Sequence, residues 1–440
     1  MKKHLALLTT LLLLAVWCTA QPRPVEIPRE HKFILYDAND LRFDSASPTM
    51  QAFFAKWRRV VTTHQGNINI VHIGGSHVQA GTMSNTIRTD LMHAYPTLVA
   101  GRGMIFPYSA AAKCNNPRDY RVHCPQKVTL TRNIYKEHTY PLGLCGIAIT
   151  AADTLTEVAV VMNEPTVSYS TSRIIVFGHS DDNVVPLLRI ADRNIYPSYA
   201  DARTERFVFN LSQPTDSFTV LLPCQPGKRF TLTGLCLDNR RSGFSFHSIG
   251  VNGAAVPDYL RCQNFTRDLR LLRPDMVVFG IGINDASGHD FDTAAFRANY
   301  LALIDSIRVI NPDCAFVFIT NNDSYRRLRR NRYEVNRNGL LAREVFYRLA
   351  DDTDGAVWDQ FEVMGGLKSM DKWFKAKLAQ KDRVHFTQAG YELIGHLFYN
   401  ALIDAFSTYN KKLSVAKPSS NNTPDSFTNP LEFLNPLSHQ

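Results

Sequence analysis

Ile68-Asn69-Ile70-Val71-His72-Ile73-Gly74-Gly75-Ser76 reads as a short, largely β-branched strand that stops at two glycines. β-Branched side chains pack well on a pleated surface, and glycines punctuate it. Immediately downstream, Ser84 to Ala94 has helical spacing with Ile87, Leu91 and Met92 on one side. Ser76 therefore stands at a strand-to-helix turn. Upstream, a leader runs to about Thr49, and a short helix is expected around Gln51 to Thr63.

The pattern changes from about Gly101 to Phe246. Short β-branched and aromatic runs, Glu157 to Met162, Arg173 to Phe177, Arg206 to Leu211, Ser217 to Leu222 and Phe230 to Leu237, are separated by turn residues. Frequent short strands with little helical periodicity point to a β-sandwich. Past Tyr259 strands expected at Met276 to Ile281, Ala315 to Thr320 and Ala356 to Gln360 alternate with helical patterns at Ala294 to Ile310, Arg332 to Asp351 and Gln388 to Tyr409. That alternation argues for a parallel sheet covered on both faces. The expected organisation is one α/β domain, residues 50–109 and 246–410, interrupted by a sandwich at 110–245. A Pro-, Ser- and Asn-rich tail over 411–440 reads as disordered.

Met1-Lys2-Lys3, the apolar run Leu5 to Trp17 and the small-residue exit Cys18-Thr19-Ala20 read as a secretory signal peptide over 1–20, with cleavage after Ala20. Lipidation at Cys18 is the alternative, disfavoured by the bulky Trp17 before it. The apolar run is too short to span a bilayer, and no later segment is long and apolar enough to do so. An exported, periplasmic or cell-surface protein is expected. The formal charge is +9, part of which leaves with Lys2 and Lys3. Moderate basicity argues against a nucleic-acid partner. The densest basic run, Arg326-Arg327 and Arg329-Arg330-Asn331-Arg332, precedes a helical pattern and reads as a solvated face, an anionic glycan contact being the lesser reading. Of eight cysteines, removal of Cys18 leaves Cys114, Cys124, Cys145, Cys224, Cys236, Cys262 and Cys314. Export permits disulfides, and Cys114 with Cys124 or Cys224 with Cys236 would close short loops, although spacing does not fix connectivity. Neither CxxC nor a Cys/His zinc spacing occurs, so no metal or other cofactor is expected.

In an open α/β sheet, catalytic groups gather at the carboxyl ends of strands. Three such positions carry reactive residues: Ser76, the pair Asn284-Asp285, and Asp382 to His385 before the last helix. A serine hydroxyl becomes nucleophilic when an imidazole takes its proton, and that imidazole needs a carboxylate to hold its tautomer. Asp382-Arg383-Val384-His385 supplies both in one turn. A DxxH alone is common, and a serine after two glycines often only ends a strand. The alternative serine-hydrolase elbow, G-x-S-x-G, would need glycine where Val78 stands and an acid far from its histidine in sequence.

Ile73-Gly74-Gly75-Ser76-His77, Gly250-Val251-Asn252-Gly253, Gly282-Ile283-Asn284-Asp285 and Asp382-Arg383-Val384-His385, in this order, resemble the four sequence blocks of SGNH (GDSL-like) hydrolases. The resemblance covers roughly 66–110 and 244–405 and implies a three-layer, flavodoxin-like hydrolase domain with a jelly-roll-like insert. It implies Ser76 as nucleophile, His385 as general base and Asp382 as orienting acid, with the Ser76 and Gly253 N–H groups and the Asn284 amide as oxyanion hole. Loss of one such donor costs on the order of 3 kcal/mol of barrier. Gly75 departs from the Gly-Asp-Ser of the first block and loosens the turn. Gly101 to Tyr108 and His247 to Ala254 are further similar to peptidoglycan O-acetylesterases, whose inserted sandwich resembles a carbohydrate-binding module.

The implied function is an exported serine esterase removing O-acetyl groups from a glycan. A glycan O-acetyltransferase would use the same acyl-Ser76, and a glycan-binding protein with a degenerate site is the reading that Gly75 keeps open. His77 is expected to contact substrate or to pack, Asp285 to anchor its loop, and Asn321-Asn322-Asp323 to serve turn chemistry as much as function.

Overall fold

Six strands build the sheet that carries the site: β1 Leu41–Arg42, β2 Asn67–Gly74, β3 Gly243–Gly250, β4 Met276–Gly280, β5 Ala315–Ile319 and β6 Ala356–Trp358. The computed structural model describes residues 22–415 apart from 112, 113, 139, 330 and 331. The expected signal peptide with its Ala20 cleavage site, and the tail beyond Val415, lie outside the described residues. The sheet order is β1-β6-β5-β4-β2-β3. β1 is antiparallel to β6, and all other neighbours are parallel. Taken in chain order, the five parallel strands follow the flavodoxin-like order 2-1-3-4-5, whose switch point lies between β2 and β4.

Alternating side chains of these strands feed two cores. Ile68, Ile70, Met276, Val278, Val317 and Trp358 face one. Val71, Ile73, Val277, Phe279, Phe316 and Phe318 face the other. Helices α1 Pro48–Thr63, α2 Thr82–Ala94 and α5 Gln388–Val415 cover the first face, while α3 Thr293–Arg308 and α4 Asn338–Thr353 cover the second. The α1 sequence shows how such a helix is specified. Ser47 caps it by accepting from Met50 N–H at 3.2 Å, Pro48 occupies its first turn, and Phe53, Phe54, Trp57 and Val60 bury one stripe. No helix of the described residues is long and apolar enough to cross a membrane.

Between β2 and β3 the chain builds two antiparallel sheets. One has five strands, with Ser217–Pro223 and Leu155–Met162 near its centre; the other has seven, with Thr171–Ser180 and Phe230–Asp238 paired at its centre. Val158, Val160 and Val220 of the first are buried with Val176, Phe209 and Leu232 of the second. The seven include Gly103–Ile105, which precedes the expected boundary at 110 yet pairs with Leu235–Leu237. The sandwich core and the second face of the six-stranded sheet form one continuous apolar cluster, through Met104, Phe106, Leu144, Cys145, Tyr259 and Phe265.

The structure differs from the sequence expectation in four further places. β3 and the edge strand β1 have no counterpart in that expectation. The run expected to open a helix at Arg332 instead forms a hairpin, Tyr325–Arg329 with Arg332–Val335, and α4 starts at Asn338. The last helix continues past Tyr409 to Val415. The seven cysteines among the described residues are all free, six of them buried. Cys224 follows a strand of the five-stranded sheet whereas Cys236 lies inside the seven-stranded one opposite Met104, so that pair is not brought together.

Candidate active site

Three neighbouring strands end on glycine at one level, Gly250 and Gly280 each registering with Gly74. A Cβ on Gly74 would meet Gly280 O at 2.6 Å, and one on Gly250 would meet Gln79 N at 2.3 Å. Only bare backbone lets the short helix Ser76–Gln79 sit down on the sheet end, with Gln79 N–H donating to Gly75 O at 3.0 Å and Ala80 N–H to Ser76 O at 2.9 Å. Tyr259 O–H donates to Gly74 O at 2.8 Å and fixes the turn from the side. Ser76 thus emerges at the switch point of the sheet.

Ser76 Oγ lies 2.7 Å from His385 Nε2, and His385 Nδ1 lies 2.8 Å from Asp382 Oδ2. Asp382 Oδ1 also accepts from the N–H groups of Val384 and His385, both at 3.0 Å. Burial pushes the Asp382 carboxyl up, but hydrogen bonds from the His385 ring, His385 N–H and Val384 N–H overrule it and bring it down to about 2. An ionised Asp382 holds the proton on Nδ1 and leaves Nε2 to accept from the Ser76 hydroxyl. The loop is tied down by Asn322 Nδ2, which donates to Val384 O at 3.1 Å, and by Gln380 N–H, which donates to His385 O at 2.7 Å. The His385 and Asp382 side chains are 33% and 45% exposed, so water and solute reach the relay.

The other two blocks close on the same point. Asn284 Nδ2 donates to Ala254 O at 2.9 Å. A Cβ on Gly75 would lie 3.2 Å from Asn284 Nδ2 and 3.4 Å from Ala254 O, so the amide and the Gly253 turn flank the residue before Ser76. Gly253 has φ +85°, which glycine adopts without strain. Its neighbours are engaged, Asn252 N–H with Gln79 Oε1 at 2.7 Å and Ala254 N–H with Val251 O at 2.9 Å. All five residues expected at the site, Ser76, Gly253, Asn284, Asp382 and His385, are brought to one end of the sheet.

His77 packs. Its ring lies against His385 and Phe386, and its Nδ1 is 2.8 Å from Tyr391 Oη. Burial, then the adjacent His385, pushes its imidazole down to about 3, which keeps it neutral. Asp285 reaches beyond its own loop, accepting from Val256 N–H at 3.1 Å and so clamping the third block to the second. Asp323 Oδ2 accepts from Met370 N–H at 2.9 Å and anchors the rim. Sequence reasoning missed Gln79 and Tyr391. Gln79 follows the nucleophile by three residues and has no local signal, and Tyr391 lies inside an ordinary helical stripe. Among the described residues no group of three or more His, Cys, Asp or Glu side chains is placed to hold a metal ion.

Residues 216–393 match the GDSL-like Lipase/Acylhydrolase family. That match makes the second part of the α/β domain, with the end of the insert, similar to GDSL-like hydrolases. The match begins inside the sandwich and omits the Ser76 block, which the fold brings to the matched residues. A solved structure of a peptidoglycan O-acetylesterase is similar to the hydrolase and its insert together, with TM-score 0.68 at 18% identity over 84% of this chain and 99% of that one. An acetyl xylan esterase matches with TM-score 0.30, 20% identity, 36% of this chain and 81% of its own. A carbohydrate esterase family 3 enzyme from Talaromyces cellulolyticus matches with TM-score 0.30, 16% identity, 38% of this chain and 76% of its own. No curated protein is matched by sequence.

Proposed function

We propose that the hydrolase is an exported serine esterase that removes O-acetyl groups from a glycan through an acyl-Ser76 intermediate. The observation that carries the reading is the continuous relay from Ser76 Oγ through His385 to Asp382 at the sheet's switch point. His385 takes the hydroxyl proton as Ser76 Oγ attacks the ester carbonyl, then returns it to the departing sugar oxygen. The Ser76 and Gly253 N–H groups and Asn284 Nδ2 receive the charge on the carbonyl oxygen. Water, deprotonated by His385, then cleaves the acyl-enzyme and releases acetate. The half-exposed relay favours water over a sugar acceptor as the second nucleophile. The glycan is supported by the likeness to the peptidoglycan enzyme, and export by Met1 to Ala20.

The test is to incubate the purified chain with 4-methylumbelliferyl acetate and with O-acetylated glycans, following free acetate and sugar mass. Free acetate that disappears in Ser76→Ala is expected. Predominant acetylated sugar at modest acceptor concentration would make the protein a transferase, and no turnover of any acetyl ester would make it a binding protein.

A further inference from the structure

The arginine-rich hairpin is built into the rim of the site. Tyr325 N–H donates to Arg383 O at 3.0 Å, inside the Asp382–His385 loop. On its other side Arg326 donates through Nε to Ser287 O at 2.8 Å and through Nη2 to Gly288 O at 2.6 Å, and Asn336 Nδ2 donates to Ala286 O at 3.0 Å. The base of the hairpin therefore bridges the loop of the general base and the loop of Asn284, and its exposed arginines extend from the rim of the site.

Its charges are unevenly neutralised. Arg326 faces Glu334 at 3.8 Å and Arg383 pairs with Asp371 at 2.9 Å. Arg327, Arg329 and Arg332 are exposed, and none of them forms an ion pair among the described residues. Arg329 and Arg332 are register partners across the two strands. Like charges directly opposite each other destabilise a ladder, so this pairing breaks a local rule, and no carboxylate pairs with either arginine among the described residues. Three guanidinium groups at the mouth of an esterase site match repeated carboxylates, which the planar fork binds in bidentate fashion. A membrane surface is a poorer fit, since Leu328 is the hairpin's one large exposed apolar side chain among the described residues.

We propose that this hairpin docks a carboxylate-bearing polysaccharide, so that the acetylated glycan reaching Ser76 is polyanionic. The inference rests on the acetyl-glycan reading for the polymer being a glycan, and on the hairpin alone for its charge. It is tested by affinity electrophoresis of the full chain in gels containing polygalacturonate or neutral xylan, with R327Q/R329Q/R332Q as the variant. Expected are retardation by polygalacturonate that fades at high salt and at least a roughly tenfold weaker affinity in the variant. Retardation by xylan should not change. The variant should melt at or above the wild-type temperature, which separates lost binding from lost fold. Equal retardation of variant and wild type by polygalacturonate, or capture by phosphatidylglycerol vesicles without retardation by polygalacturonate, would overturn the docking surface. A chain that binds polygalacturonate but turns over no acetyl ester would overturn the esterase reading and leave the docking surface standing.

Discussion

The Cβ that Gly75 lacks would stand 3.2 Å from Nδ2 of Asn284, closer than an ordinary van der Waals contact. The first block's glycine and the third block's asparagine are therefore sterically coupled. A side chain at position 75 would therefore press on the Asn284 amide. Gly75→Ala should lower kcat by roughly tenfold with KM little changed, as expected for a donor felt mainly in the transition state. Asn284→Ala should cost about 100-fold or more. The double variant should be no slower than Asn284→Ala, because the amide that a methyl group at position 75 would push is gone. Additive losses in this cycle would place the effect of residue 75 elsewhere.

Ser76→Ala and His385→Ala should each reduce ester turnover to background, a loss on the order of 10⁶-fold where the relay acts as a unit. Asp382→Asn should fall less, by about 10⁴-fold, because an amide oxygen still accepts from Val384 and His385 N–H and preserves the loop while losing the charge. All three side chains lie on a partly exposed rim, so the fold should persist, with Ser76→Ala melting close to wild type and Asp382→Asn and His385→Ala somewhat lower because the Asp382–His385 pair is lost. Steady-state assays with an aryl acetate give the order of the losses, and Asp382→Asn below Ser76→Ala would show that the carboxylate does more than orient.

Excising 110–245 with a short linker is the natural way to try to isolate the α/β domain. The continuous cluster through Phe106, Leu144, Cys145, Tyr259 and Phe265 argues against a stable product, since the cut would bare Phe106, Tyr259 and Phe265 and would take Gly243, Phe244 and Ser245 out of β3. Burial of a single large apolar side chain is worth about 1.5–3 kcal/mol, and several are lost at once. The excised protein should aggregate or lack a cooperative melting transition. A soluble core with a sharp transition would show that the hydrolase folds without its insert.

Legibility in the sequence follows the strength of local pattern. β4, β5 and β6 are nearly continuous apolar runs buried on both faces, and the sequence places them to within about two residues at each end. β3 is not legible in this way, because Gly243-Phe244-Ser245-Phe246-His247-Ser248-Ile249-Gly250 mixes two aromatics facing one core with polar residues facing the sandwich, where His247 Nδ1 accepts from Met104 N–H at 3.1 Å. The hairpin escapes for a related reason: its arginines carry no apolar period, and its bonds go to loops distant in sequence. The site itself is legible as four blocks because their residue types and order resemble those of SGNH hydrolases, and because a serine, its base and the base's acid are types the chemistry requires. The roles of Gln79, Asp285 and Tyr391 are not, because each acts through tertiary hydrogen bonds that no spacing announces.

Acidification should destabilise the fold, through histidines the reaction does not use. Burial, with Arg88 adding to it at His72 and His247 and His385 at His77, pushes all three imidazoles down to about 3. Their folded pKa values lie below the usual ~6.5, so between those limits the unfolded chain binds more protons and stability falls as pH drops, by about 1.4 kcal/mol per pH unit per group. Asp285 and Asp323 act oppositely: burial raises both to about 6, so they favour the fold as pH drops from about 6 towards 4. His138 shifts down with the three histidines, and Asp268 and Asp404 shift up with the two carboxyls, so opposing groups largely offset each other through that window; below about 4 the carboxyls add nothing further while the buried histidines continue to lose stability. Asp382, at about 2, then joins them, its stabilisation being lost as pH falls from about 4 towards 2. Melting temperature should therefore decline gently from about pH 6.5 to 4 and steeply below it. His247→Gln keeps an acceptor for Met104 N–H and removes one titrating ring, so the decline between about pH 6 and 4 should flatten by one proton's worth. Melting curves of both proteins from about pH 7.5 to 3.5 decide the matter, and an unchanged slope in His247→Gln would show that His247 takes up no proton on unfolding.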